Sequence, residues 1–145
     1  MKKWATGSKP ELPGLEDSTS LRVRYAETDA MGWVYYANYF TYFEVGRTEM
    51  IRRSWRSYSD LEHEGYRLPV IESHCRYFHG ARYDDQLDIQ TRLTLPTALR
   101  LHFEYRVVRV NDGKLLAEGF TVHCFLGESG KPVPVPAELR MLVTA

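Results

Sequence analysis

Two stretches of strict alternation restrict this chain more than any other feature. Leu87, Ile89, Thr91, Leu93 and Leu95 alternate with Asp88, Gln90, Arg92 and Thr94; Leu101, Phe103, Tyr105 and Val107 alternate with His102, Glu104 and Arg106. Successive side chains on a strand point to opposite faces, so a period of two marks strands with one buried face. Asn111, Asp112 and Gly113 supply the turn residues of a tight hairpin. They lead into a further run from Lys114 to Leu126, in which Leu116, Phe120, Val122, Cys124 and Leu126 are expected to share a face. With the strand pattern that begins near Leu68, four strands joined by short turns occupy this half of the chain.

The other half carries a different period. From about Tyr36 to Trp55 the spacing is helical, and Tyr39, Phe43, Gly46 and Met50 fall at i, i+4, i+7 and i+11 on one face. That face is the expected buried one, and Gly46 on it implies a very close neighbour, because glycine costs about 1 kcal/mol in a helix against alanine. Glu49 precedes Arg52 and Arg53 in the favourable order for helix ion pairs. Ser59 to Glu62 has capping-box spacing, which with Gly65 predicts a short helical turn. Residues 1–20, polar and broken by glycine and proline, are expected to form a flexible tail. A strand through Leu21, Val23 and Tyr25 then opens a single domain over 21–145, and the proline-spaced Lys131–Val143 segment closes it as a sheet edge. One long helix with a run of antiparallel strands is an α+β architecture.

Charge and composition exclude several classes. Nineteen basic residues balance nineteen acidic ones, which leaves no global field to attract nucleic acid. No apolar run reaches the roughly 20 residues of a transmembrane helix, and the Met1–Trp4 start lacks a signal peptide's apolar stretch, so the expected location is cytoplasmic. Cys75 and Cys124 fit buried free thiols better than a disulfide framework. His63, His74, His79, His102 and His123 show no metal-ligand spacing and no adjacent cysteine cluster, so no metal site is expected. Asp84 and Asp85 follow Gly80 in a turn and are read as solvated; the aromatic stripe from Tyr35 to Phe43 is read as core.

Chemistry concentrates between Arg24 and Tyr39. Asp29 sits in a turn just ahead of the long helix, and Gly32 lets backbone approach a ligand without a Cβ in the way. An aspartate there is often only a cap or Asx turn. The start of a helix, however, offers unpaired N–H groups, here expected around Val34, Tyr35 and Tyr36, that can polarise a carbonyl. A free aspartate carboxylate, with an ordinary pKa of about 3.9, is ionised at neutral pH and can attack a carbonyl or activate water. Trp33 and Tyr36 could line a pocket beside it, and Arg82 and Arg100 could meet the phosphates of an anionic ligand such as CoA.

The segment Arg24–Tyr39 resembles the signature of the 4-hydroxybenzoyl-CoA thioesterase family, including the branch found with bacterial Tol–Pal genes. The block Cys75–Asp85 resembles that family's strand-turn block, and the similarity spans roughly 21–142. The resemblance implies a hotdog fold, an antiparallel sheet wrapped around one long central helix, and hydrolysis of an acyl-CoA to the free acid and CoA. Asp29 is then the nucleophile or general base, with no cofactor beyond CoA as part of the substrate. It implies a homo-oligomer, a dimer or a tetramer of dimers, with sites between subunits. Many Tol–Pal relatives carry histidine at the position of Tyr36, so a histidine-assisted route through that position is not available; Glu44 matches an acidic position of the family and is a secondary candidate. A non-catalytic acyl-CoA binder and a hotdog hydratase or dehydratase are the competing readings.

Overall fold

The computed structural model describes residues 12–145. Five strands form one antiparallel sheet: β1 (Gly14–Arg22), β2 (Val70–Tyr77), β3 (Gln86–Thr94), β4 (Leu101–Arg109) and β5 (Leu115–His123), in the spatial order β1-β3-β4-β5-β2. Helix α1 (Asn38–Ser54) packs chiefly on β3 and β1 and reaches β4. A short α2 (Tyr58–His63), the two-residue strands β6 (Phe125–Leu126) and β7 (Pro132–Val133), and α3 (Ala137–Thr144) complete the domain. No described helix is long and apolar enough to cross a membrane.

The alternating runs behave as their period requires. Leu87, Ile89, Thr91 and Leu93 of β3 and Leu101, Phe103, Tyr105 and Val107 of β4 are all buried against α1. Tyr39, Phe43, Gly46 and Met50 are buried on α1, and the stripe widens to Tyr42, Arg47 and Ile51. Glu49 pairs with Arg52 and Arg53, and Arg53 also reaches Asp17 on β1 at 2.7 Å. Gly113, at φ 69°, makes the predicted hairpin.

Four expectations are corrected. The flexible tail does not extend to residue 20: Gly14–Arg22 is β1, paired residue by residue with β3, because its backbone satisfies the β3 edge whatever its polar composition. Residues 1–11 lie outside the described part of the chain. Tyr25 is not the inner end of a strand but stands 72% exposed on a one-turn 3-10 helix, stacked on Tyr83 with ring centroids 3.6 Å apart. The cap of α2 is Ser57, which accepts from the Asp60 N–H, rather than Ser59. The terminal segment folds back as α3, with Leu139 and Val143 buried, instead of lying as an edge.

The fifth strand carries the most informative correction. A register shift opposite Val107 and Val108 changes its parity, so Ala117, Thr121 and His123 are buried, with Gly119 beneath α1, while Phe120 faces outward between His74 and His102. Gly119 is required there because a Cβ would lie 2.8 Å from the Phe43 ring. The polar pair finds partners. Arg47 on α1 donates to Tyr58 Oη (3.1 Å) and Tyr105 Oη (3.2 Å). Tyr105 Oη lies 2.6 Å from Thr121 Oγ1, which lies 2.8 Å from His123 Nε2. His123 Nδ1 faces the Leu68 carbonyl, which can only accept, at 3.4 Å, so in the neutral ring Nδ1 carries the proton, Nε2 accepts from Thr121, and Thr121 in turn accepts from Tyr105. Burial pushes His123 down to about 4, and the nearby Arg47 cation acts the same way. The imidazole is therefore neutral, as this donor order requires.

At Gly46 a Cβ would meet Thr91 Oγ1 at 2.6 Å and Ile89 Cγ2 at 2.7 Å. Crowding of this kind costs about 1–3 kcal/mol, more than the helix gains from alanine. Gly46→Ala should therefore lower stability in urea denaturation, and a stabilised variant would show that the helix is not held this close.

Candidate active site

The strand registers gather one end of the sheet. Arg22 at the end of β1, Gln86 at the start of β3, Arg109 at the end of β4 and Tyr77 at the end of β2 all lie there. The turn that carries Asp29 follows β1 after the one-turn 3-10 helix at Tyr25–Glu27. Its geometry is closed by backbone: Gly32 N–H donates to Asp29 O (2.9 Å) and Asp29 N–H to Trp33 O (2.8 Å). Gly32 occupies φ 83°, a conformation glycine adopts without the strain of a Cβ. Met31 N–H donates to Asp29 Oδ1 at 2.9 Å, so one carboxylate oxygen does hold an Asx turn. No described residue donates to the other, Oδ2.

Anchors on both sides fix this turn. Val34 N–H donates to Ala81 O (2.8 Å) and Tyr35 N–H to Glu27 O (2.8 Å), while Asn38 Nδ2 donates to the same Glu27 carbonyl (2.9 Å). Burial opposes the charge on Glu27, but hydrogen bonds from Arg24 and Tyr42 outweigh it and hold the carboxyl below its ordinary range. Gly80 lies flat against the Trp33 ring, where a Cβ would come within 2.7 Å.

These anchors correct the expected oxyanion donors. Val34 and Tyr35 have spent their N–H groups, and Asn38, Tyr39 and Phe40 donate to the carbonyls of Tyr35, Tyr36 and Ala37. Tyr36 N–H and Ala37 N–H are the two at the helix start without a partner among the described residues. The Tyr36 carbonyl accepts from Tyr77 Oη at 3.1 Å, which ties the helix start to β2.

Asp29, Met31, Trp33, Val34, Tyr36 and Tyr39 line a cavity of about 450 Å³ together with Tyr77, Phe78, His79 and Gly80. Its apolar aromatic lining with a single carboxylate suits a carbon chain ending in a reactive polar group. Tyr39 and Tyr77 stay protonated, since burial raises both phenols. Arg82 stands at the rim, its guanidinium 3.9 Å from where a Gly32 Cβ would be.

The remaining candidates lie elsewhere. The Tyr35 ring stands outside the cavity against Tyr36. Glu44 lines a separate groove of about 220 Å³ with Phe40, Arg47 and Ser73. Arg100 precedes β4 at the far end of the strands, roughly 30 Å from Arg109 at about 3.3 Å per residue. Within one chain it does not approach Asp29. The Tyr77–Gly80 lining was missed in sequence, because its residues enter the site only through the pairing of β2 with β5.

Comparison with known proteins follows this geometry. A family model described as Thioesterase-like superfamily matches residues 23–142. Acyl-CoA thioester hydrolase YbgC of Escherichia coli O6:H1 is 34% identical over 119 residues, covering 82% of this chain and 89% of the relative. The crystal structure of a hypothetical protein from Aquifex aeolicus superposes with a TM-score of 0.82 at 30% identity, covering 88% of this chain and 98% of that one. A variant of 4-hydroxybenzoyl CoA thioesterase complexed with 4-hydroxybenzoyl CoA superposes with a TM-score of 0.80 at 18% identity, covering 88% and 98%. At that identity the likeness shows the fold alone, the expected hotdog.

Proposed function

We propose that Asp29 drives thioester cleavage in this chain, which belongs to the Thioesterase-like superfamily and is an acyl-CoA thioester hydrolase. The observation that carries the assignment is the meeting, in one aromatic cavity, of a carboxylate with an unengaged oxygen and the start of α1 with an unspent N–H at Tyr36. The acyl group occupies the cavity with its carbonyl oxygen toward Tyr36 N–H. Charge that develops on that oxygen is stabilised by a donor already in place, an effect of about 3–4 kcal/mol per well-aligned donor. Asp29 attacks the carbonyl carbon or activates water against it. Trp33 and Tyr36 shape the acyl pocket, and Arg82 at the rim is positioned for a CoA phosphate. Hydrolysis changes no oxidation state, so the reaction needs no redox cofactor, and CoA enters as part of the substrate.

The functional unit is a homo-oligomer. β2 is an edge strand whose Val70, Ile71 and Tyr77, with Phe78 just beyond, are exposed, a condition that invites pairing with a second chain. Tyr77 and Phe78 also line the cavity, so a partner paired along β2 would cover its mouth. The free thiols Cys75 and Cys124 suit the cytoplasm, where thiols stay reduced.

Asp29→Asn keeps the Oδ1 acceptor of the turn and removes the charge. Release of free thiol from a panel of short, long and aromatic acyl-CoAs should fall by about 10³-fold or more, about 4 kcal/mol of transition-state stabilisation. Equal release by the variant would defeat the assignment, and binding without turnover by the native chain would make this a carrier. In sedimentation equilibrium the native protein should show two or four times the 16.9 kDa chain mass; a single-chain mass would refute the oligomer.

A further inference from the structure

The cavity is lined by one imidazole, and the assignment above leaves it idle. His79 sits at the β2–β3 turn, its backbone N–H held by Leu116 O at 3.1 Å, and it is exposed and lines the same cavity as Asp29. Neither ring nitrogen has a partner among the described residues. The other four histidines are occupied: His123 ends the buried donor chain, His74 and His102 stack on Phe120 on the outer face, and His63 contacts Ser59 O on α2. The titratable and charged groups that share the cavity with His79 are Asp29 from the turn, Tyr36 just ahead of α1, Tyr39 on α1 and Tyr77 on β2, with Arg82 at the rim.

We infer that His79 is the general base of the water step, which assigns to Asp29 the part of nucleophile. This rests on the thioesterase reading and divides its labour between two side chains. An Asp29 oxygen attacks the acyl carbon, the C–S bond breaks, and CoA leaves as thiolate with the bonding pair and takes a proton from solvent. Water then attacks the acyl carbon of the resulting mixed anhydride while His79 accepts its proton. The bond from that carbon to Asp29 breaks, the electron pair returns to the carboxylate, and the product acid departs as the imidazolium releases its proton. Imidazole is the side chain suited to general-base work at neutral pH, where a carboxylate is a weak base. It reaches the site from the β2–β3 turn, while the helix start carries Tyr36 instead.

The test is His79→Gln in the full chain with one acyl-CoA that the native enzyme hydrolyses. The expected result is a kcat lower by about 100-fold, loss of the acid-side break in the kcat–pH profile, and a burst of one CoA per site. Intact-mass spectrometry should then show the acyl group on the chain, at Asp29 after proteolysis. The burst itself reports a folded site. An unchanged kcat and pH profile would overturn the inference, as would a lower kcat that keeps the acid-side break and shows no acyl adduct. Activity retained by Asp29→Asn would instead remove the parent assignment, so the two failures are separable.

Discussion

The site depends on two backbone hydrogen bonds, Val34 N–H to Ala81 O and Tyr35 N–H to Glu27 O. They clamp the Asp29 turn between the chain leaving β1 and the chain entering β3, segments brought together only by the pairing of those strands. They also consume the N–H groups that would otherwise compete at the helix start, which leaves Tyr36 as the donor beside the cavity. In the proposed reaction this clamp sets how the carboxylate and that donor are aligned on one carbonyl, and orientation effects of this kind are steep.

The helix that supplies the donor is seated by close approach and by buried polarity. Gly46 lets α1 settle onto Ile89 and Thr91, and Gly119 lets the Phe43 ring cover β5. Arg47, 8% exposed and without a carboxylate in ion-pair range among the described residues, is held by the hydroxyls of Tyr58 and Tyr105. Leaving such a charge without partners would cost several kcal/mol, so the ordered chain from Arg47 to His123 fixes the helix's rotation and its distance from the sheet. Rigid seating of α1 carries through to the position of Tyr36.

Much of this was legible in sequence, for identifiable reasons. Strict alternation gave β3 and β4 with their correct inner faces, although Arg92 and Thr94 on the other face of β3 are buried as well. The same rule misassigned β5, where Phe120 faces out and His123 faces in: a bulge and a buried hydrogen-bond chain override composition. β1 was taken for tail because Gly14–Ser20 is polar, and its stability comes from backbone pairing that hydropathy does not register. Asp29, Trp33 and Tyr36 could be named because they are local to one motif. Tyr77, His79 and Gly80 could not, since they are distant in the chain and meet Asp29 only through the sheet. The spent N–H groups of Val34 and Tyr35 were likewise invisible, because their acceptors, Ala81 and Glu27, are matters of tertiary geometry.

The central claim is that the thioester carbonyl lies between the residue 29 side chain and the Tyr36 N–H. A crystal structure of Asp29→Asn bound to an intact acyl-CoA tests it most directly. The account predicts the carbonyl oxygen within about 3 Å of Tyr36 N, with the acyl group between Trp33 and Tyr77. A thioester bound away from the start of α1, with residue 29 turned from its carbonyl carbon, would contradict it.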